Sequence, residues 1–157
     1  MKRLLSLCDA VALTGLGTLF AVVAFNVLGR ALFDATGHAV NLMIPGAIEI
    51  SRYALMVTVL ASLPRAAEAG MVRVDLLIDH LPPGLATLLD RLWALAIAAF
   101  GAATAWLLIS EALLQITRGD ATQDLELPMW LLTGFAGLAM SALTLVGLWL
   151  ALRGARG

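Results

Sequence analysis

Long, mostly apolar runs recur four times along the chain. They cover about residues 10–28, 45–63, 92–110 and 127–150. A helix rises 1.5 Å per residue, so about 20 residues cross the ~30 Å hydrocarbon core of a bilayer. The pattern therefore predicts an all-α integral membrane protein in which four transmembrane helices form a single domain.

The second run differs from the others because it contains two charged residues, Glu49 and Arg52. Three residues apart on a helix, they lie on the same side and can bond each other. In one interpretation the pair neutralises itself near the membrane interface, where Arg52 extends toward the headgroups. In the other, it faces protein and holds a partner helix or Arg30. A charged pair facing lipid is unfavourable, so we favour burial against protein.

A short segment between the second and third runs has a different pattern. Val74, Leu77, Ile78 and Leu81 recur at helical spacing, and Pro82 and Pro83 follow them. This predicts an amphipathic surface helix over about residues 71–81, lying on the cytoplasmic side of the membrane. The alternation of apolar and charged residues over 72–75 leaves a strand as the alternative.

Composition and charge agree with a membrane protein. Of the 157 residues, 61% are hydrophobic and 13% charged, whereas soluble domains carry about 25% charged residues. The net charge of -1 and the lack of a basic run argue against a nucleic-acid partner. The uncharged run from Ala10 to Gly29 is longer than the core of a cleaved signal peptide, so we expect it to remain as a span.

The positions of Lys and Arg predict the orientation. With the N-terminus inside, seven of these residues lie on the cytoplasmic side: Lys2, Arg3, Arg65, Arg73, Arg91, Arg153 and Arg156. Three lie on the opposite side: Arg30, Arg52 and Arg118. We therefore expect both termini in the cytoplasm and the loop "TRGDATQDLE" in the periplasm.

The residues needed for catalysis or metal binding do not converge. His38 and His80 fall on opposite sides of the predicted membrane, and Cys8 is the only cysteine. No nucleophile–base pair or phosphate-binding glycine loop is visible in the sequence, so we expect neither catalytic nor metal-binding residues.

Small residues indicate where helices can pack closely. Ala94, Ala98 and Ala102 form one row on the third span, and Gly137 with Ser141 form another on the fourth. Trp93, Trp130 and Trp149 lie near span ends, as membrane-interface aromatic residues do, and Trp106 is suited to either packing or anchoring.

Four motifs in register resemble a known family over essentially the whole chain. They are "NVLGRALF" (26–33), "EISRYALM" (49–56), "GMVRVDLL" (70–77) and "LELPMWL" (125–131). Their order and spacing are similar to those of the small membrane subunit of tripartite ATP-independent periplasmic (TRAP) transporters. "TGFAGLAM" in the fourth span departs from the family pattern, which often has a proline-containing break there.

The resemblance implies an inner-membrane subunit that braces a large permease subunit during sodium-coupled uptake of an organic acid. It also implies a transient periplasmic binding-protein partner, contact with lipid, and no cofactor of its own, with sodium bound by the large subunit. The residues that match the family motifs as interface or structural polar residues are Arg30, Glu49, Arg52, Tyr53, Arg73 and Asp75. Pro128 and Trp130 match the periplasmic entry to the fourth span.

A second hypothesis belongs to a different class. A self-contained homo-oligomeric exchanger would use a membrane-embedded glutamate, here Glu49, to bind and release a proton or cation. Such a glutamate usually lies unpaired in the first span, whereas Glu49 lies in the second beside an arginine.

Overall fold

The computed structural model describes residues 1–69 and 83–153, with only the backbone at Pro83. It contains four helices: α1 (Lys2–Ala35), α2 (Ala47–Glu68), α3 (Pro83–Arg118) and α4 (Met129–Arg153). All four are long and apolar enough to cross a membrane, and these two ranges contain no strand. The predicted all-helical architecture, with four helices able to span a membrane, is confirmed. The surface helix predicted over about 71–81, and its strand alternative, lie outside the described residues.

The helices extend beyond the apolar runs that predicted them. α1 has 34 residues and α3 has 36, more than the hydrocarbon core requires, because a helix continues its backbone hydrogen bonds into the polar interface. Pro64, which directly follows the predicted second span (45–63), lies inside α2. Its side chain is among the most deeply buried in the described chain, so packing maintains the turn despite the missing N–H group.

The helices pack in the lateral order α1, α2, α4, α3. α1 lies mainly against α2, α2 also packs on α4, and α4 makes the most extensive contact with α3. The main cluster of buried apolar residues joins all four helices: Leu5, Ala67, Ala105, Met140, Leu143 and Val146. Leu5 near the start of α1 and Val146 toward the end of α4 thus share one core, which holds these helix ends together.

A row of small residues lets α3 approach α4. Ala94 and Ala98 are buried as expected, but Ala102 is exposed. Gly101 and Ala105 complete the buried row instead. Strict four-residue steps drift around a helix with 3.6 residues per turn, so a contact row has to alternate steps of three and four.

The matching surface of α4 is also built from small residues. A Cβ placed on Gly137 would lie 2.7 Å from Cγ1 of Ile109, and one on Gly147 would lie 2.9 Å from the backbone nitrogen of Ala98. Ser141, which is half-buried, donates its hydroxyl to the Gly137 carbonyl at 2.9 Å. The absence of larger side chains at these positions brings the two helix backbones into contact.

Seven hydroxyl side chains in α1, α2 and α4 are satisfied locally. Each donates to a backbone carbonyl one turn earlier: Thr14, Thr18, Ser51, Thr58, Thr133, Ser141 and Thr144. These bonds remove the cost of placing a free hydroxyl among apolar groups. The hydroxyls therefore need no ion or substrate as a partner.

The tryptophans mark the outer surface. The Arg153 guanidinium lies 4.1 Å from the ring centroid of Trp149, an arrangement that holds both side chains at the end of α4. Trp106 is 75% exposed. Of its two predicted roles, packing within the bundle is therefore excluded, and its ring faces the surroundings of the chain.

Candidate functional site

Glu49 lies in the first turn of α2 and is 8% exposed. Its Oε2 accepts hydrogen bonds from the backbone N–H groups of Leu125 at 2.9 Å and Asp124 at 3.1 Å. Its Oε1 accepts one from the Tyr53 hydroxyl at 3.3 Å. Bonds to an ionised carboxylate are stronger than neutral ones, and a helix N-terminus favours negative charge. Glu49 thus ties the loop between α3 and α4 to the start of α2.

The 119–128 loop has its own internal hydrogen bonds. Gly119, with a φ of 69°, turns the chain out of α3. The Thr122 N–H donates to the Leu127 carbonyl at 2.9 Å, and the Thr122 hydroxyl accepts from the Leu127 N–H at 3.0 Å. An isolated antiparallel bridge joins Ala121 to Pro128. These bonds close the loop on itself and leave the N–H groups at its tip to Glu49.

An apolar contact beside Glu49 fixes the same loop. Gly46, which precedes α2, has a φ of 68°, and a Cβ there would lie 2.8 Å from Cγ of Leu125. Both the backbone conformation and the close approach require glycine. The Leu125 side chain therefore rests on the helix start while its N–H bonds Glu49.

Arg52 has a different environment from Glu49. Its side chain is exposed, and it forms no ion pair with any residue in the described ranges. The predicted Glu49–Arg52 bond is thus absent, because the glutamate faces the loop. At 1.5 Å per residue, Arg52 lies about 8 Å from the start of α2 and about 20 Å from Arg65. An uncompensated charge costs about 2.5–3.5 kcal/mol at the centre of a span on insertion scales, and less nearer the interface.

The remaining predicted residues are dispersed. Arg30 is exposed near the end of α1, Pro128 is exposed in the loop, and Trp130 is 38% exposed in the first turn of α4. Arg73 and Asp75 lie outside the described residues. The structure therefore brings Glu49, Tyr53 and the loop before Pro128 together, and among the described residues neither Arg30 nor Arg52 forms an ion pair with them. The assignment of the predicted polar residues to a subunit interface stays a prediction.

An ion cluster at the other end of α2 was not predicted. The Arg65 guanidinium bonds both carboxylate oxygens of Asp9 in α1, and its Nη1 lies 2.6 Å from Oε2 of Glu68. The sequence contained a usable signal, since Asp9 immediately precedes the first apolar run and Arg65 lies two residues past the end of the second. Antiparallel neighbouring spans place such residues at the same membrane depth.

We expect Arg65→Ala to have a small effect on stability. Its side chain is 45% exposed and that of Asp9 is 36% exposed, and exposed ion pairs contribute little because water and salt screen them. The melting temperature in detergent should fall by less than about 4 °C. A much larger loss would contradict this, and Arg118→Ala, which removes the similarly exposed Glu111 pair, is the matched control.

A groove of about 490 Å³ lies between α1, α2 and the loop. Its polar lining consists of Thr14, Thr18 and Tyr53, and no charged side chain lines it. The threonines donate to their own helix and the tyrosine donates to Glu49. Within the described residues no group of three or more His, Cys, Asp or Glu side chains is placed to hold a metal ion. The groove is therefore apolar in character.

These features define a multi-pass membrane protein in which the buried carboxylate of Glu49 holds a loop of the same chain. Within that class, the family model for the DctQ component of tripartite ATP-independent periplasmic transporters matches residues 19–157. The chain belongs to this family: it is the small permease component of a TRAP transporter, an inner-membrane protein and not an enzyme. Comparisons with curated proteins and with solved structures gave no match. The family is one part of a system that also has a large permease and a binding protein.

Proposed function

We propose that this chain braces the large permease subunit during sodium-coupled, binding-protein-dependent uptake of an organic acid. In this proposal the large subunit carries the sodium and substrate sites, and the small subunit needs no cofactor of its own. Both termini lie in the cytoplasm, in agreement with the excess of Lys and Arg predicted on that side.

The hydrogen bonding of Glu49 is the observation that supports this proposal most directly. It is the one acidic residue within the four predicted spans. An exchanger needs a carboxylate that is free to bind and release an ion, whereas this one accepts bonds from the Tyr53 hydroxyl and two backbone N–H groups. Releasing it would leave those donors unsatisfied. A structural role in an accessory subunit therefore fits Glu49 better than a titrating role in a self-contained exchanger.

The apolar groove supports the same assignment. Pathways for ions and polar solutes are lined by ionisable groups or exposed backbone, whereas the groove has apolar walls and locally bonded hydroxyls. An organic acid would lose its hydration there without gaining a partner. We therefore place the transport route in the large subunit.

Reconstitution in liposomes tests the proposed function. The chain is inserted alone, with the large permease subunit, and with the large subunit plus the soluble binding protein. A carboxylate that raises the melting temperature of the binding protein serves as the radiolabelled solute. We expect uptake only in the three-component system with an inward sodium gradient, and a return to the level of empty liposomes when any component or the gradient is omitted.

Two further conditions separate this proposal from the exchanger hypothesis. Proton and solute fluxes are measured for the chain alone, as the natural protein and as Glu49→Gln. Flux through the natural chain that disappears in the variant would establish the exchanger and overturn the accessory role. Uptake of equal rate without the small subunit would overturn the bracing role while leaving the family assignment intact.

A further inference from the structure

One side of α2 carries a regular exposed stripe. It consists of Ile48, Arg52, Leu55, Val59 and Ser62, which we call the α2 outer stripe. Ile48, Leu55 and Val59 are 75%, 51% and 49% exposed. The residues follow one another in steps of four and three, the spacing with which a helix presents a seam to a neighbouring helix.

The rest of α2 is occupied by contacts within the chain. Ala54 and Thr58 lie against Gly15 of α1, and Glu49 and Tyr53 face the 119–128 loop. At 3.6 residues per turn, the α2 outer stripe points away from both contacts. It is therefore the side of α2 left for a second molecule.

The charge on this stripe distinguishes it from an ordinary lipid-facing surface. Arg52 is the one basic residue within the four predicted spans. Glu49, its nearest acid along the helix, is engaged by the loop and Tyr53, and Arg52 has no ion-pair partner among residues 1–69 and 83–153. By contrast, Arg65 near the end of the same helix is paired with Asp9 and Glu68. The described part of the chain therefore supplies no countercharge for Arg52.

We infer that the α2 outer stripe is the surface that packs on the large permease subunit, and that a membrane helix of that subunit places an Asp or Glu carboxylate against Arg52. This assignment rests on the proposed function, to which it adds the contact surface and its chemistry. The apolar positions supply a continuous helix-packing seam, and the arginine fixes the register because one position on the partner satisfies it.

Photo-crosslinking of the two-subunit complex tests the position of the surface. A photoreactive amino acid replaces Leu55 in the stripe or, as a matched control, Leu107 of α3, which is 67% exposed. Arg52 stays intact in both proteins. We expect the Leu55 probe to form an adduct with the large subunit and the Leu107 probe to form none. Adducts only from Leu107, or from neither position although the subunits purify together, would overturn the inference and leave the proposed function standing.

Charge substitutions test the chemistry of the contact. Arg52→Glu and Arg52→Gln are expected to lower recovery of the large subunit by about tenfold or more, since truncating one partner of a buried charge pair is costly. Arg52→Lys should retain most of it, and Arg91→Glu, at an exposed arginine near the start of α3, should change it little. A carboxylate-to-lysine change on the large subunit that restores recovery of Arg52→Glu identifies the partner residue.

The outcomes separate the two proposals. If Arg52→Gln purifies with the large subunit as well as the natural chain does, and the Leu55 probe labels no protein, Arg52 faces lipid phosphates and the inference is wrong. If the natural chain itself fails to purify with the large subunit, the proposed function fails, and the inference fails with it. The Leu55 and Leu107 probe proteins keep Arg52. The crosslinking experiment therefore still tests the position of the surface if the Arg52 variants fail to fold.

Discussion

Replacing Glu49 by alanine is expected to release the 119–128 loop from α2 and to lower the melting temperature in detergent by about 4–10 °C. The substitution removes the acceptor of the Asp124 and Leu125 N–H groups and of the Tyr53 hydroxyl. A shielded N–H without an acceptor costs about 1–3 kcal/mol. The loop cannot recover these bonds internally, because its Thr122–Leu127 bonds already use the nearby groups.

Amide hydrogen exchange measures this release directly. In the natural protein the N–H groups of Asp124 and Leu125 should be protected by their bonds to Glu49, and in Glu49→Ala they should exchange at least about tenfold faster. Amides within α3 and α4 should keep their protection. Glu49→Gln should lie between the two proteins, since its amide oxygen still accepts a bond but carries no charge.

Two variants serve as controls for Glu49→Ala. Tyr53→Phe removes only the weakest bond, at 3.3 Å, so it should shift the melting temperature much less. Glu111→Gln removes a carboxylate whose ion pair is exposed and 3.4 Å long, so it should leave loop exchange unchanged. Equal exchange of Asp124 and Leu125 in natural and Glu49→Ala proteins would show that the carboxylate does not hold the loop.

The architecture could be predicted from the sequence because a membrane requires apolar runs of a set length along the chain. A spanning helix needs about 20 apolar residues, and four such runs correspond to the four helices. Glu49 was recognised as unusual for the same reason, since a carboxylate in an apolar run requires a partner. The apolar pattern therefore identified both the fold and the residue at the centre of the site.

The partner of Glu49 was not predictable from the same pattern. Its acceptor oxygen bonds backbone N–H groups 75 and 76 residues away, and backbone groups carry no sequence signature. Arg52, three residues along, offered a local alternative that satisfies the same electrostatic requirement. The choice between them depends on how the loop closes over α2, which is set by Gly46, Gly119 and Leu125 acting together.

The row of small residues through which α3 contacts α4 was predictable only in part. The contact follows the helical period of 3.6 residues, whereas the prediction used steps of four. Ala94 and Ala98 were identified correctly, but continuing in steps of four reached the exposed Ala102 instead of the buried Gly101. The Asp9–Arg65 pair, by contrast, follows from membrane depth alone. Pairing charges at the same ends of adjacent spans would have identified this contact, whereas extending the small-residue row missed Gly101.

Gly147→Ala is expected to force α3 and α4 apart and to lower the melting temperature by about 2–12 °C, because an overpacked interface costs roughly 1–3 kcal/mol. The new Cβ would lie 2.9 Å from the Ala98 backbone nitrogen and 3.0 Å from the Ala94 carbonyl oxygen. Backbone atoms of a helix cannot move aside as a flexible side chain does, so the whole contact must widen. Gly147→Leu should prevent the two helices from packing and abolish the yield of folded protein.

Gly17→Ala is the matched control for the α3–α4 contact, because it makes the same substitution in α1 where nothing lies within 4 Å of the added Cβ. Alanine favours helix over glycine by about 1 kcal/mol, so this variant should melt at the same temperature as the natural protein or slightly above it. The difference between the two variants isolates the close approach from any general effect of alanine. If Gly147→Ala and Gly17→Ala melt together, the backbones of α3 and α4 are not in contact at Gly147, and the tight pairing of these helices is wrong.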